Sequence, residues 1–408
     1  MKKSLVALAA LAAVGAASAQ SSVTLYGVLD IGYGSQTTTT RDGTGAIRSR
    51  GVMDGANAGN RIGFRGTEDL GGGLKANFVV EQGISPTSGT LFTQRAAAAG
   101  PQLVGLATAA PTLGGGQVSG ANTAFSANTN RQSYVGLASD AIGTFNIGYQ
   151  YTVGYELSTL SGYNIGSEGL PGADQAHVYH IAGSFGGTRA NMVQYISPNF
   201  GGGFVVRAQY GSNAGNQETV TQQTAAGGSV TSAGRRYGLM LQYANGPLSA
   251  SIAYTNLRSI GAGGPVGAAG VPVLQVNQNS RTANVTQLGA SYDFGVVKLA
   301  GTYLTGRDGG VPGSLTVNNS FRAYQLGLSV PFGAIVPFIT YGKARTDENS
   351  TGTRVEDYRQ AQIGVRYSLS KRTTAYAMYG RTNNSALPAI GTIYDRDSKS
   401  IVGVQHNF

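Results

Sequence analysis

The last eleven residues, Ser398–Phe408, form a strand with a two-residue period that stops on an aromatic side chain, with no polar tail behind it. Val402, Val404, His406 and Phe408 fall on one face; Gly403, Gln405 and Asn407 fall on the other. Side chains alternate across a strand, so the segment has one apolar face and one wettable face. The same dyad recurs along the chain. Leu25, Leu29, Ile31 and Tyr33 oppose Thr24, Val28 and Asp30. Leu74, Ala76, Phe78 and Val80 oppose Lys75, Asn77 and Glu81. Phe204, Val206, Ala208 and Tyr210 alternate with Arg207 and Gln209, and Ile363, Val365 and Tyr367 alternate with Gln362 and Arg366. Segments 334–346 and 373–382 are apolar on both faces, and their parity stays open. No helical period of useful length appears.

Two kinds of connection alternate between these strands. Seven are short and rich in turn residues, as in Glu68–Gly73, Asp140–Gly143, Pro198–Gly203 and Asn245–Pro247. Gly, Asn and Pro there supply the φ values of tight reversals. Eight are long, polar and low in complexity, at roughly 35–60, 83–131, 153–188, 212–234, 258–281, 307–320, 347–356 and 384–397. Seven turns and eight loops imply sixteen strands, with both ends of the sheet on the short-turn side. Short turns on one side and long loops on the other is the pattern of a transmembrane β-barrel. A soluble sandwich also alternates. Against it, Tyr33, Tyr210, Tyr243, Tyr254, Tyr292, Phe294 and Phe332 sit at strand ends, where aromatic girdles meet the membrane interfaces. Charged residues make up only 12% of the chain, where soluble domains average about 25%. The expected fold is all-β, a sixteen-stranded antiparallel barrel with short periplasmic turns and long extracellular loops. A closing strand that ends on an aromatic residue is the assembly signature of Gram-negative outer-membrane barrels, so Phe408 is read as the membrane insertion signature.

The opposite end agrees. Lys2 and Lys3, the apolar run Leu5–Ala17 and the small residues Ala17–Ala19 read as a cleaved signal peptide over 1–19, leaving 20–408 as the barrel domain. Beyond it no apolar run reaches the length of a membrane helix. The chain has no Cys, which removes disulfides and thiolate metal sites. The formal charge is +10, or +8 without Lys2 and Lys3. The Lys and Arg are scattered rather than clustered in a run or on a helix, which points away from nucleic acid and toward a solvated surface or a basic aqueous channel.

Several blocks together carry a resemblance. Ser22-Val-Thr-Leu-Tyr-Gly27, Arg61-Ile-Gly-Phe-Arg-Gly-Thr-Glu-Asp-Leu-Gly71, Tyr134–Leu137, Ser197–Gly201, Tyr367–Thr373 and Val402–Phe408 resemble, in order, the trimeric general porins of beta-proteobacteria, of the Burkholderia, Bordetella and Neisseria type. The resemblance implies a homotrimer and a third loop folded inward to narrow the pore. That loop is 153–188 here, with Glu156, Glu168 and Asp174 as constriction-loop acids. Related sequences often carry Arg where this one has Tyr149. The long second loop, 83–131, either reaches a neighbouring subunit or is a surface insertion. The implied partners are the lipid bilayer and lipopolysaccharide, small hydrophilic solutes and ions, and the outer-membrane assembly machinery.

Sixteen strands enclose a lumen too wide for side chains to fill, so a water-filled path remains. Selectivity then comes from the narrowing and from fixed charge beside it. Parity places Arg61, Arg65, Lys75, Arg207, Lys298, Arg366 and Lys399 on the lumen side, against Asp30 and Glu81; Arg131 points into the mouth. Arg61, Arg65 and Lys75 are expected as a basic ladder facing the loop acids, which favours weak anion preference. Other sites are poorly supported. His177 and His180 lack a third metal ligand, and His406 lies in the terminal strand. The Gly71–Gly73 and Gly201–Gly203 runs open no helix and are turns rather than phosphate loops. No catalytic set and no cofactor motif is visible. A solute-specific channel on the same fold is the second reading; a barrel enzyme or adhesin is the third.

Overall fold

The computed structural model describes residues 22–40, 46–88, 130–163, 165–167, 169–171, 189–212, 219–223, 229–262, 278–309, 318–349, 351–384 and 394–408. The signal-peptide segment 1–19, most of the second loop, Glu168, Asp174, His177 and His180 lie outside these residues.

The strands in chain order are β1 (Ser22–Thr40), β2 (Ala46–Asp54), β3 (Arg61–Gly71), β4 (Leu74–Gly83), β5 (Asn130–Ser139), β6 (Gly143–Tyr151), β7 (Arg189–Ile196), β8 (Phe204–Ser212) and β9 (Thr219–Gln223). They continue with β10 (Ser229–Asn245), β11 (Leu248–Ala262), β12 (Gln278–Asp293), β13 (Lys298–Gly309), β14 (Asn319–Ser329), β15 (Ile335–Glu348), β16 (Arg354–Ser368), β17 (Thr373–Asn384) and β18 (Tyr394–Asn407). Except for β2/β3 and β8/β9, each pairs antiparallel with its neighbour in sequence, and β1 pairs with β18 to close the sheet. Eighteen segments make sixteen staves. β2 and β3 share one position beside β1, and β8 and β9 share one beside β10. Closure leaves no unpaired edge, the condition lipid imposes on a sheet.

The barrel is apolar outside and polar inside. Val135, Ile147, Leu326 and Ile363 are exposed on its outer face, while Gln209, Gln287, Gln325 and Gln362 are buried on its inner face. No described helix is long and apolar enough to cross a membrane; the crossing elements are strands.

The seam between β1 and β18 rests on a glycine. Gly27 and Phe408 exchange backbone hydrogen bonds of 3.1 and 3.2 Å. A β-carbon on Gly27 would strike the Phe408 ring and come within 2.7 Å of the Arg61 carbonyl. Gly27→Val is therefore expected to cost about 1–3 kcal/mol at the closing strand by overpacking. A lower refolded fraction in heat-modifiability electrophoresis would show it; unchanged yield and melting would contradict it.

Several predicted loops are shorter than expected because the strands run past the band. Most of the described part of 35–60 is a hairpin of β1 and β2, and among these described residues 55–60 lie outside the strands. β11 and β12 likewise extend into 258–281. The Thr37–Thr40 end of β1 lacks an apolar face but keeps its backbone ladder with β18 and, up to Thr39, with β2, and that ladder continues the strand.

Candidate functional site: a lumen lined by the third loop

After β6 the chain turns into the barrel. Thr152 caps a short helical turn at Val153–Tyr155 by accepting the Tyr155 N–H at 3.3 Å, and a π-turn follows at Glu156–Leu160. The Val153 N–H donates to Gln209 Oε1 at 2.9 Å, and Gln209 Nε2 donates back to the Tyr151 carbonyl at 2.9 Å. Val153, Leu157 and Tyr163 are buried against Met240 and Ala253 of the inner wall. The Tyr163 hydroxyl lies 3.0 and 2.7 Å from the Ser249 and Ser251 hydroxyls. Further on, Ile165 and Leu170 pack with Phe338, Tyr376, Met378 and Ile401. Five buried apolar side chains, at roughly 1.5–3 kcal/mol each, pin the loop to the wall rather than leaving it free in the lumen.

Polar groups fix its register. Ser167 N–H donates to Gln362 Oε1 at 2.8 Å, and Gln362 Nε2 returns a bond to the Ser167 carbonyl at 3.1 Å. Arg366 donates to the Ile165 and Gly166 carbonyls at 3.1 and 3.0 Å and to Asn57 Oδ1 at 2.7 Å, while its guanidinium lies 4.2 Å from the Phe338 ring centre. Lys399 Nζ donates to the Gly169 carbonyl at 3.1 Å, and Gly169 N–H donates to the Ala56 carbonyl at 2.9 Å. The described part of the loop thus follows the wall from β8 round to β18 and meets the break between β2 and β3 at Gly169.

Asp30 holds that break. Its buried carboxylate accepts the Asn57 and Ala58 N–H groups at 2.7 and 2.6 Å and the Tyr376 hydroxyl at 2.5 Å. Gly55 lies so close that any β-carbon would collide with the Asp30 carboxylate.

The wall of β3 to β5 carries the remaining charges. Glu81 is buried and accepts Arg131 Nε at 2.6 Å, the Tyr151 hydroxyl at 3.0 Å and the Tyr26 hydroxyl at 3.1 Å, with Arg61 Nε at 3.6 Å. Arg131 Nη2 also donates to the Tyr151 hydroxyl at 2.9 Å. Two guanidiniums around one carboxylate leave one positive charge in surplus. Arg131 is the extra residue of a bulge, since Glu81 faces Gln132 and Gln82 faces Asn130. A bulge re-aims a side chain in this way. Arg65 is exposed and stacks on Tyr26, 5.3 Å from its ring centre.

The expected basic ladder is therefore rearranged. Arg61 leans on Glu81, and Lys75 lies 3.8 Å from Asp140 at the short-turn end. Arg366 and Lys399 grip loop carbonyls, and Arg207 lies 3.4 Å from Glu156 Oε2. Of the basic residues singled out by the sequence, Arg65, Lys298 and Arg366 have no acid within ion-pair reach among the described residues. Burial raises the Glu156 carboxyl to about 7, with Arg207 and a bond from Gln194 opposing the shift. Tyr26, Tyr151, Tyr163 and Tyr376 were not anticipated, and Gln209 and Gln362 were placed on the wettable strand face but given no role. All but Tyr151 sit on the inner-face parity of their strands or on the loop itself, and buried Gln or Tyr on that parity is the signal that would have found them. The described residues hold no group of three or more metal-ligating acids or histidines.

The chain matches the family model described as Gram-negative porin over residues 6–387. It is 31% identical over 395 residues to the outer membrane porin protein 32 of Delftia acidovorans, covering 96% of this chain and 92% of that one. It is 26% identical over 412 residues to the major outer membrane protein P.IB of Neisseria lactamica, covering 100% of both. Among solved structures, an anion-selective porin from Comamonas acidovorans superposes with a TM-score of 0.65 at 24% identity, over 95% of this chain and 100% of that one. A closed barrel with an inside-out surface, an inward third loop and these relatives make the chain a member of the Gram-negative porin family, the passive diffusion channels of the outer membrane.

Proposed function

We propose that the lumen passes small hydrophilic solutes with a preference for anions, and that Arg65 carries most of that preference. The observation behind this reading is the charge balance along the inner wall. Glu81 and Glu156 are matched by arginines, whereas Arg65 is exposed and has no acid within ion-pair reach among the described residues. The Comamonas acidovorans porin that shares this fold is anion-selective, which agrees. Uptake into proteoliposomes tests the reading: a small carboxylate should enter faster than an amine of equal size, and the reverse order would overturn it. The homotrimer implied by the sequence resemblance belongs to the same proposal. A solute-specific site is the second reading, favoured by the Arg65–Tyr26 stack, and block by one solute alone would reveal it.

Glu156 makes the preference depend on pH. A carboxyl raised from 4.5 to about 7 is neutral below that value and charged above it. Its raised value also favours the folded loop in acid, an advantage lost as pH rises through that window. From pH 8 to pH 6 Glu156 takes up a proton and Arg207 loses its partner, so chloride preference should rise. Zero-current potentials at the two pH values check this. Glu156→Gln should flatten the dependence, and an equal dependence in that variant would contradict the assignment.

A further inference from the structure

At one place the sheet steps down and leaves an edge. β3 and β4 end at the level where Arg61 faces Gly83, and on its other side Arg61 faces Val28 of β1. β1 continues beyond that level and takes β2 as its neighbour, from Ile31 opposite Asp54 to Thr39 opposite Ala46. β2 has β1 along one edge, and no described residue forms a ladder with the other. Exposure agrees with this placement. Every residue of Ala46–Arg50 is exposed. Ser35–Thr39 of β1, flanked by β2 and β18, are half-buried. The foot of β2 is fixed. Asp54 accepts the Ser85 hydroxyl at 2.5 Å, the Thr87 hydroxyl at 2.9 Å and the Thr87 N–H at 3.3 Å. The turn after β4 is thus tied to the base of the strand, and the edge above it is open.

An edge strand presents a row of unpaired N–H and C=O groups that can template another strand. β2 carries a side-chain pattern that selects what is added. Arg48 lies opposite Thr37, and Arg50 lies opposite Ser35, on the parity of Val52 and the outward Tyr33. Ile47 and Ser49 take the other face, with Ile47 exposed. Neither arginine has an acid within ion-pair reach among the described residues. A second copy of β2 laid antiparallel on this edge would bring arginine against arginine, and like charges directly opposite destabilise a strand pair. Acids at alternate positions of an incoming strand would be favoured by the same rule.

We propose that the free edge of β2 is a strand-addition site for an extended acidic segment of another protein. Main-chain hydrogen bonds along Ala46–Val52 would hold the segment, and its alternate side chains would set the register. Acids would face Arg48 and Arg50, and small or apolar side chains would face Ile47 and Ser49. The edge lies at the long-loop end, so the partner comes from outside the cell. The inference rests on strand pairing and not on the selectivity reading.

The test uses the refolded full-length protein in its assembled form, with hydrogen–deuterium exchange read over residues 46–52. The main probe is a heptapeptide that alternates glutamate and valine, with glutamate at both ends. The controls are the same peptide with its central valine replaced by proline, and a peptide that alternates lysine and valine. Amides of 46–52 should exchange fast in the free protein and slow when the glutamate peptide is added. The two controls should leave them fast, because proline removes a ladder donor and lysine opposes the arginines. Arg48→Gln with Arg50→Gln should weaken the glutamate peptide roughly tenfold, at about threefold per cross-strand charge pair. Arg48→Glu with Arg50→Glu should transfer the preference to the lysine peptide. Unchanged single-channel conductance verifies that each variant barrel is intact. Should the double variants not refold, Arg50→Gln alone should show the threefold loss. Equal binding of the proline peptide would reduce the effect to charge attraction and overturn the proposal. So would slow exchange over 46–52 before any peptide is added, which would mean that the second loop or a neighbouring copy already covers the edge. Binding of the glutamate peptide that survives reversal of both arginines would overturn it as well.

Discussion

Arg65→Glu should turn a chloride-favouring channel toward potassium. The substitution moves the lumen charge by two units at a side chain that is exposed and stacked only on Tyr26. A unit charge a few ångströms from a passing ion in water is worth about 1 kcal/mol, so the two-unit change should shift the permeability ratio by roughly tenfold or more. Arg61→Glu is a less clean experiment, because Arg61 shares Glu81 with Arg131 and its reversal would disturb a buried cluster. Lys75→Glu is the useful contrast. It sits beside Asp140 at the short-turn rim and should move the ratio far less. The pair is read from zero-current potentials in a KCl gradient. Equal shifts for Arg65 and Lys75 would mean that the wall beneath Tyr26 has no special role.

Arg366→Ala should loosen the third loop and widen the path. Arg366 ties the Ile165 and Gly166 carbonyls and Asn57 to the wall, so one side chain joins the loop to the break between β2 and β3. Hydrogen bonds from a charged donor are worth about 1.5–3 kcal/mol each, so the loop should lose several kcal/mol of anchoring at that end. The apolar pegs Val153, Leu157 and Tyr163 remain, so the expected phenotype is a partly released loop. Single-channel recordings should show larger and noisier steps. Asp30→Asn acts on the same junction from below. It weakens the bonds from Asn57, Ala58 and Tyr376 and should produce a milder change in the same direction. Steps of wild-type size and noise in Arg366→Ala would show that the pegs alone fix the loop.

The barrel was legible because lipid imposes a simple rule on every strand. The dyads at Leu25 to Tyr33, Phe204 to Tyr210 and Ile363 to Tyr367 are the outward faces of β1, β8 and β16. Segments 334–346 and 373–382 resisted that reading for a reason visible in the structure. Phe338, Tyr376 and Met378 point inward, yet they are apolar because the third loop docks on them. A two-state parity rule has no category for a lumen face that is buried by a loop. Charge roles were less legible still. Parity places Arg366 and Arg65 on the same side, but one is consumed by loop carbonyls and the other stays exposed. Arg131 faces Glu81 because of a bulge, and a one-residue slip cannot be seen in a single sequence. Glu168, Asp174 and the histidines of the third loop lie outside the described residues, so their expected roles stand as they were read.

The most direct test of the central claim is the zero-current potential of the refolded protein in a planar bilayer under a KCl gradient, with single-channel step size recorded. Ohmic steps with a potential that favours chloride, lost in Arg65→Glu, are the predicted result. A potential favouring potassium in the unaltered protein would contradict the anion reading, and a folded barrel without conductance would contradict the open lumen itself.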